Sequence, residues 1–128
     1  MNPLTIEWIN KAEGDYATAN REFRVRKTAN YDAVCFHAQQ CVEKYMKACL
    51  QEANIPFTKT HNLIVLLDLL LPIKPNWEET KPKLFALNNF AVNFRYPGDS
   101  ADQEIARQAI VFCKEIRQLI RRNLNLEE

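Results

Sequence analysis

The sequence predicts an all-α fold: an antiparallel up-and-down bundle of about five helices, a four-helix core plus one short helix. Three observations predict it. Apolar residues recur at steps of three and four along the long segments, the period of one helix face. Between those segments lie Pro, Gly, Asn, Ser and Thr residues of the kind that stop and start helices. The 128 residues amount to one domain's worth, so a single domain over residues 1–128 with one core is expected. Helices joined by short loops then pack as antiparallel neighbours.

The first helix is predicted to start at Thr5, an N-cap hydroxyl just after Pro3. Trp8, Ile9, Ala12, Tyr16, Ala19 and Phe23 fall on one stripe that faces the core. Gly14 lies off that stripe, at a cost of about 1 kcal/mol relative to Ala, and close approach of another backbone is the usual reason for such a glycine.

Asn30 is the expected cap of a second helix, which runs to about Ala53 and ends because Pro56 disfavours helix in the residue before it. Val34, Ala38, Cys41, Val42, Tyr45, Ala48 and Cys49 form its core stripe. Its other side carries Gln40, Glu43, Lys44 and Lys47, but also Phe36 and Leu50. A helix apolar over most of its circumference is central or buried in an oligomer.

Thr60 is the expected cap of a short third helix from His61 to Leu71, so rich in Leu, Ile and Val that it is predicted to be buried on several sides. Pro72 to Glu79 reads as a connector. A capping box from Asn76 to Glu79 would put Pro82 deep in the next helix, where its ring clashes, so Thr80 is the preferred cap of the fourth. Leu84, Leu87, Ala91 and Phe94 are its stripe. Pro97 and Gly98 suit the central positions of a type II turn. Ser100 with Gln103 forms a capping box for the last helix, which carries Ile105, Ala109, Cys113, Ile116 and Ile120 and ends near Leu124.

Composition excludes several classes. The apolar fraction is 47% and the charged fraction 26%, which gives no support to disorder, collagen-like repeats or coiled-coil bias. Lys plus Arg number 17 against 16 Asp plus Glu, so no global field gathers nucleic acid or anionic membrane, and no DNA readout is expected. The four cysteines include no CxxC pair and there are two histidines, so no zinc site of usual spacing can be written. No cofactor is expected. Met1 to Glu13 has no basic segment leading into an apolar run, as a signal peptide would. The longest apolar stretch, Leu63 to Ile73, carries Asp68 and Pro72 and falls short of the roughly 20 residues of a membrane span. Free thiols and a cytoplasmic location are the expectation.

The residues so placed resemble the HEPN family of helical domains. The likeness rests on Trp8, Ala12, Asp15 and Ala19, on Tyr31 through Phe36, and on the run from Gln40 to Ala48. Lys59-Thr60-His61-Asn62-Leu63 and Arg95-Tyr96-Pro97 complete it, and their order and spacing cover nearly the whole chain. The resemblance implies a link to nucleotides and RNA. Catalytic members are ribonucleases with an Arg followed after four to six residues by His, brought together at a dimer cleft. Here the Arg would be Arg95, and positions 100, 101 and 102 hold Ser100, Ala101 and Asp102. RNA cleavage without a metal needs a group that moves a proton near neutral pH, and imidazole is the side chain best suited to it.

Two functions follow from different classes. The first is a non-catalytic module, acting as a homodimer or beside a small nucleotidyltransferase, in which Gln40, Glu43, Lys44, Lys47, His61, Arg95 and Tyr96 hold a nucleotide or other phosphate-bearing ligand. Arg offers a planar fork of donors, Lys a mobile charge, and the start of the third helix free N–H groups. The second is an RNA-cleaving toxin of a toxin-antitoxin pair using Arg95 with an atypical partner such as His61. Against both stands a plain alternative: a solvated helix face with i, i+4 charge pairs, and Arg95 in a structural salt bridge. The basic residues Arg21, Arg24, Arg26 and Lys27, and Arg117, Arg121 and Arg122, are expected to be solvated helix ends that suit the dipole.

Overall fold

Asn2 and Pro3 open the first helix, α1 (Pro3–Phe23), in the computed structural model, which describes residues 1–94 and 96–127. The Asn2 side chain accepts the Leu4 N–H at 2.8 Å, and Pro3 fills the first helical position, where a missing N–H costs nothing. Thr5, the expected cap, therefore sits inside the first turn. Its hydroxyl is the one buried side-chain polar atom without a partner among the described residues. A Cβ added at Gly14 would meet nothing within 4 Å, so no backbone approaches there.

The second helix, α2 (Tyr31–Glu52), starts as expected, with the Asn30 side chain accepting from Ala33 N at 3.0 Å. For α3 (Leu63–Leu70) the cap is Asn62, not Thr60. Asn62 accepts from Ile64 N at 2.9 Å and is itself fixed by Asn88 Nδ2 at 2.9 Å, while the Thr60 hydroxyl accepts from Asn62 N one step upstream. His61 therefore precedes the helix. The connector contains a 3₁₀ helix, Pro75–Thr80, which buries Trp77. Thr80 opens α4 (Lys81–Asn93) with Pro82 in the first turn, but its hydroxyl donates to the Trp77 carbonyl at 2.7 Å and caps nothing. Gly98 takes φ +100°, and Asp99 N donates to Tyr96 O, as a type II turn requires. The cap of α5 (Gln103–Asn123) is Asp102, which accepts from Ile105 N at 2.8 Å, in place of Ser100; a carboxylate also suits the positive end of the dipole.

The central helix is α2, and the other four all pack on it. Contacts such as Phe23 with Tyr31 and Glu13 with Tyr45 show α1 running antiparallel to α2. Lys83 in the first turn of α4 pairs with Glu115 of α5. The connection from α2 to α3 is not a tight turn. Residues 53–62 run back along α2: Ile55 N donates to Leu50 O, Phe57 meets the Trp8 ring at 6.2 Å, and His61 reaches Glu43.

That return strand of chain covers Leu50, which is fully buried and so offers nothing to a second copy. Phe36 does remain exposed. The third helix buries Leu63, Leu66, Leu67 and Leu70 on one stripe and turns Val65 and Asp68 outward, so it is covered on one face rather than several. Ala12, Ala38, Val42, Leu66, Leu87, Ala109 and Ile120 join in one core, to which all five helices contribute. Among the described residues no helix is long and apolar enough to cross a membrane.

Candidate functional site

Gln40, Glu43, Lys44 and Lys47 share one stripe of α2 by their spacing, yet the return segment splits that stripe. Glu43 is 2% exposed, and Lys47, also buried, places its ammonium 3.0 Å from Glu43 Oε2 and 5.4 Å from the centre of the Trp8 ring. The Gln39 and Gln40 amides each donate to Glu43 Oε1 at 3.3 Å. His61 Nδ1 lies 3.0 and 3.2 Å from the two carboxylate oxygens, and Gln39 Nε2 donates to the His61 carbonyl at 2.8 Å. Lys44 turns the other way, to Asp15 Oδ2 at 2.5 Å, while Asp15 Oδ1 lies 2.8 Å from His37 Nδ1.

The stripe is thus neutralised from within. Lys44 and Lys47 each have a carboxylate, and a phosphate binding there would have to displace it. At the start of α3 two backbone donors are already taken as well, Leu63 N by Asn88 and Ile64 N by Asn62.

His61 has a second surface. Its side chain is 76% exposed and borders a groove of about 700 Å³ between the start of α3 and the outer face of α4. Phe85 and Val92, two turns apart on α4, are 59% and 57% exposed there, with Lys81, Asn89 and Ile64 beside them. Asn88 forms the wall, since its amide already bonds Leu63 and Asn62. Spacing alone hid this groove: Phe85 and Val92 lie off the Leu84, Leu87, Ala91 and Phe94 stripe, and nothing in the chain order points to His61 meeting them. Among the described residues no group of His, Cys, Asp and Glu could hold a metal ion. The cysteines are buried, and burial pushes the Cys35 and Cys49 thiols up to about 12, which leaves them poor nucleophiles.

Residues 5–123 match the family model of the HEPN domain. The chain belongs to the HEPN domain family. No curated protein and no solved structure matches it.

In this HEPN domain Arg95, the Arg expected from the resemblance, lies outside the described residues. Tyr96 is exposed at the head of the type II turn rather than packed on the bundle. Arg117 and Arg121 are not solvated helix ends. Arg117 forms a two-pronged bond to Glu13, Tyr45 donates to the same carboxylate, and Arg121 donates to the Tyr45 hydroxyl. The signal for this was present: 113, 117 and 121 form one line on α5 that starts at a core cysteine, and Glu13 follows the core residue Ala12.

Proposed function

We propose that this HEPN domain is a non-catalytic module that binds a nucleotide or related phosphate-bearing ligand and acts as a homodimer, with a small nucleotidyltransferase as partner. The observation that carries the proposal is the α3–α4 groove, where one exposed aromatic ring, one exposed amide, an ammonium and an imidazole converge. Phe85 offers a face on which a base stacks, Asn89 offers donor and acceptor to its edge, Lys81 offers charge to a phosphate, and the His61 ring offers a nitrogen to hydrogen-bond it. Of the residues expected from the sequence, His61 borders this groove and Gln40, Glu43 and Lys47 stand behind it. Titration calorimetry with AMP, ATP and adenosine tests the proposal. Binding of the nucleotides is expected to be lost in Phe85→Ala and unchanged in Lys44→Gln, and failure of every nucleotide to bind removes it. The homodimer is tested by sedimentation, where a monomer near 15 kDa at micromolar concentration counts against it.

One observation favours the second reading, RNA cleavage by Arg95 with His61. A carboxylate on Nδ1 of an exposed histidine is an arrangement that suits a general base. Cleavage of single-stranded RNA, abolished by both Arg95→Ala and His61→Ala at unchanged melting temperature, would establish it over the binding module.

A further inference from the structure

We infer that Glu43 is a positioning residue for the groove: it holds His61 as the tautomer protonated on Nδ1, so that Nε2 is the ring atom a phosphate-bearing ligand meets. The inference rests on the nucleotide-binding reading of the same groove and adds how its histidine is set. A neutral imidazole carries one N–H and an ionised carboxylate only accepts, so the proton sits on the nitrogen facing Glu43. That nitrogen is Nδ1, at 3.0 Å from Oε1.

The carboxylate cannot move away. It is buried, it accepts from both glutamine amides, and Lys47 holds its other oxygen. The backbone of His61 is anchored as well, through its carbonyl to Gln39. Ring and backbone are therefore fixed to α2 while most of the side chain stays in solvent at the groove's edge.

Nε2 accepts a hydrogen bond when the ring is neutral and donates one when it is protonated. A fully ionised phosphate only accepts, so it selects the imidazolium form. The charged groups around this ring are Glu43 and Lys47 on α2 and Lys81 on α4, whose ammonium is itself 3.8 Å from Glu78, and among the described residues the groove's lining includes no Asp or Glu. The phosphate-dependent part of the affinity therefore depends on pH and grows toward the acid side, where the imidazolium form is more populated.

The first test uses the wild-type chain without ligand. Nitrogen-15 spectra of the neutral His61 ring are expected to show the proton on Nδ1, and a proton on Nε2 overturns the inference. The second test compares AMP with adenosine near pH 7 and pH 8, where the phosphate stays largely dianionic. AMP is expected to bind about fivefold tighter at the lower pH, adenosine equally at both, and His61→Ala to abolish the difference. Glu43→Gln is expected to weaken AMP and leave adenosine unchanged. AMP binding that is indifferent to pH and to Glu43→Gln overturns the inference while the nucleotide reading stands. If AMP does not bind at all, that reading fails and the ring spectrum alone decides the inference.

Discussion

Arg117 and Glu13, 104 residues apart in the chain, meet in a planar fork in which Nε and Nη2 each donate to one carboxylate oxygen at 2.7 Å. The Tyr45 hydroxyl donates to the same carboxylate at 2.5 Å, and the Arg117 guanidinium lies 4.3 Å from the centre of the Tyr16 ring. Three helices are thereby joined at one point. Arg117→Ala is expected to destabilise the fold by about 2 kcal/mol, since two charge-assisted bonds are lost and the Glu13 carboxylate keeps the Tyr45 hydroxyl as its hydrogen-bond donor but not the fork. Arg117→Lys should recover less than half, because an ammonium cannot form the fork. Urea denaturation of the two variants decides it, and equal recovery by Lys would count against a fork.

The bonds from Arg117 hold the Glu13 carboxyl below its ordinary range, against the burial that pushes it up. A folded-state value below the unfolded one means that the unfolded chain binds the proton first. The contribution of Glu13 is thus complete above about pH 4.5 and fades as pH falls through the folded carboxyl's own, lower titration. Thermal melts from pH 3 to 7 should show a steeper acid decline for wild type than for Glu13→Gln, and parallel curves would refute this.

Thr5 Oγ1 is buried without a partner among the described residues. Replacing it with Val keeps the shape of the side chain and removes a polar group that gains nothing from burial. Thr5→Val is expected to stabilise the chain by about 1 kcal/mol, and a fall in melting temperature would show that the hydroxyl is satisfied after all.

The two faces of α3 should separate cleanly. Leu66 is fully buried and its truncation to Ala is expected to cost about 3 kcal/mol, whereas Val65, exposed on the opposite side, should change by less than about 0.5 kcal/mol. Comparable losses at both positions, seen in denaturant midpoints at low protein concentration, would mean that α3 is enclosed on both sides.

The helices were legible because each has a period and a stop signal of its own. Cap positions were less so: Thr5, Thr60 and Ser100 are all good caps in isolation, but Asn2, Asn62 and Asp102 hold the role, in the case of Asn62 with a tie to α4 that no local rule contains. The stripe Gln40, Glu43, Lys44 and Lys47 was read as one polar surface because spacing reports direction from a single helix axis. It does not report what lies opposite.

The sequence by itself determined the all-α class, the order of the helices, their core stripes and the family, since these depend on short-range periodicity and on motifs in fixed order. Only the tertiary structure decided where the charges go. Ion pairs such as Arg117 with Glu13, and Lys44 with Asp15, form between helices whose facing rotation is set by the packing of many apolar side chains together. The return of residues 53–62 along α2 is likewise a property of the assembled core. It buries Glu43 and Lys47, which a helical wheel leaves in solvent, and it brings His61 to the edge of the groove.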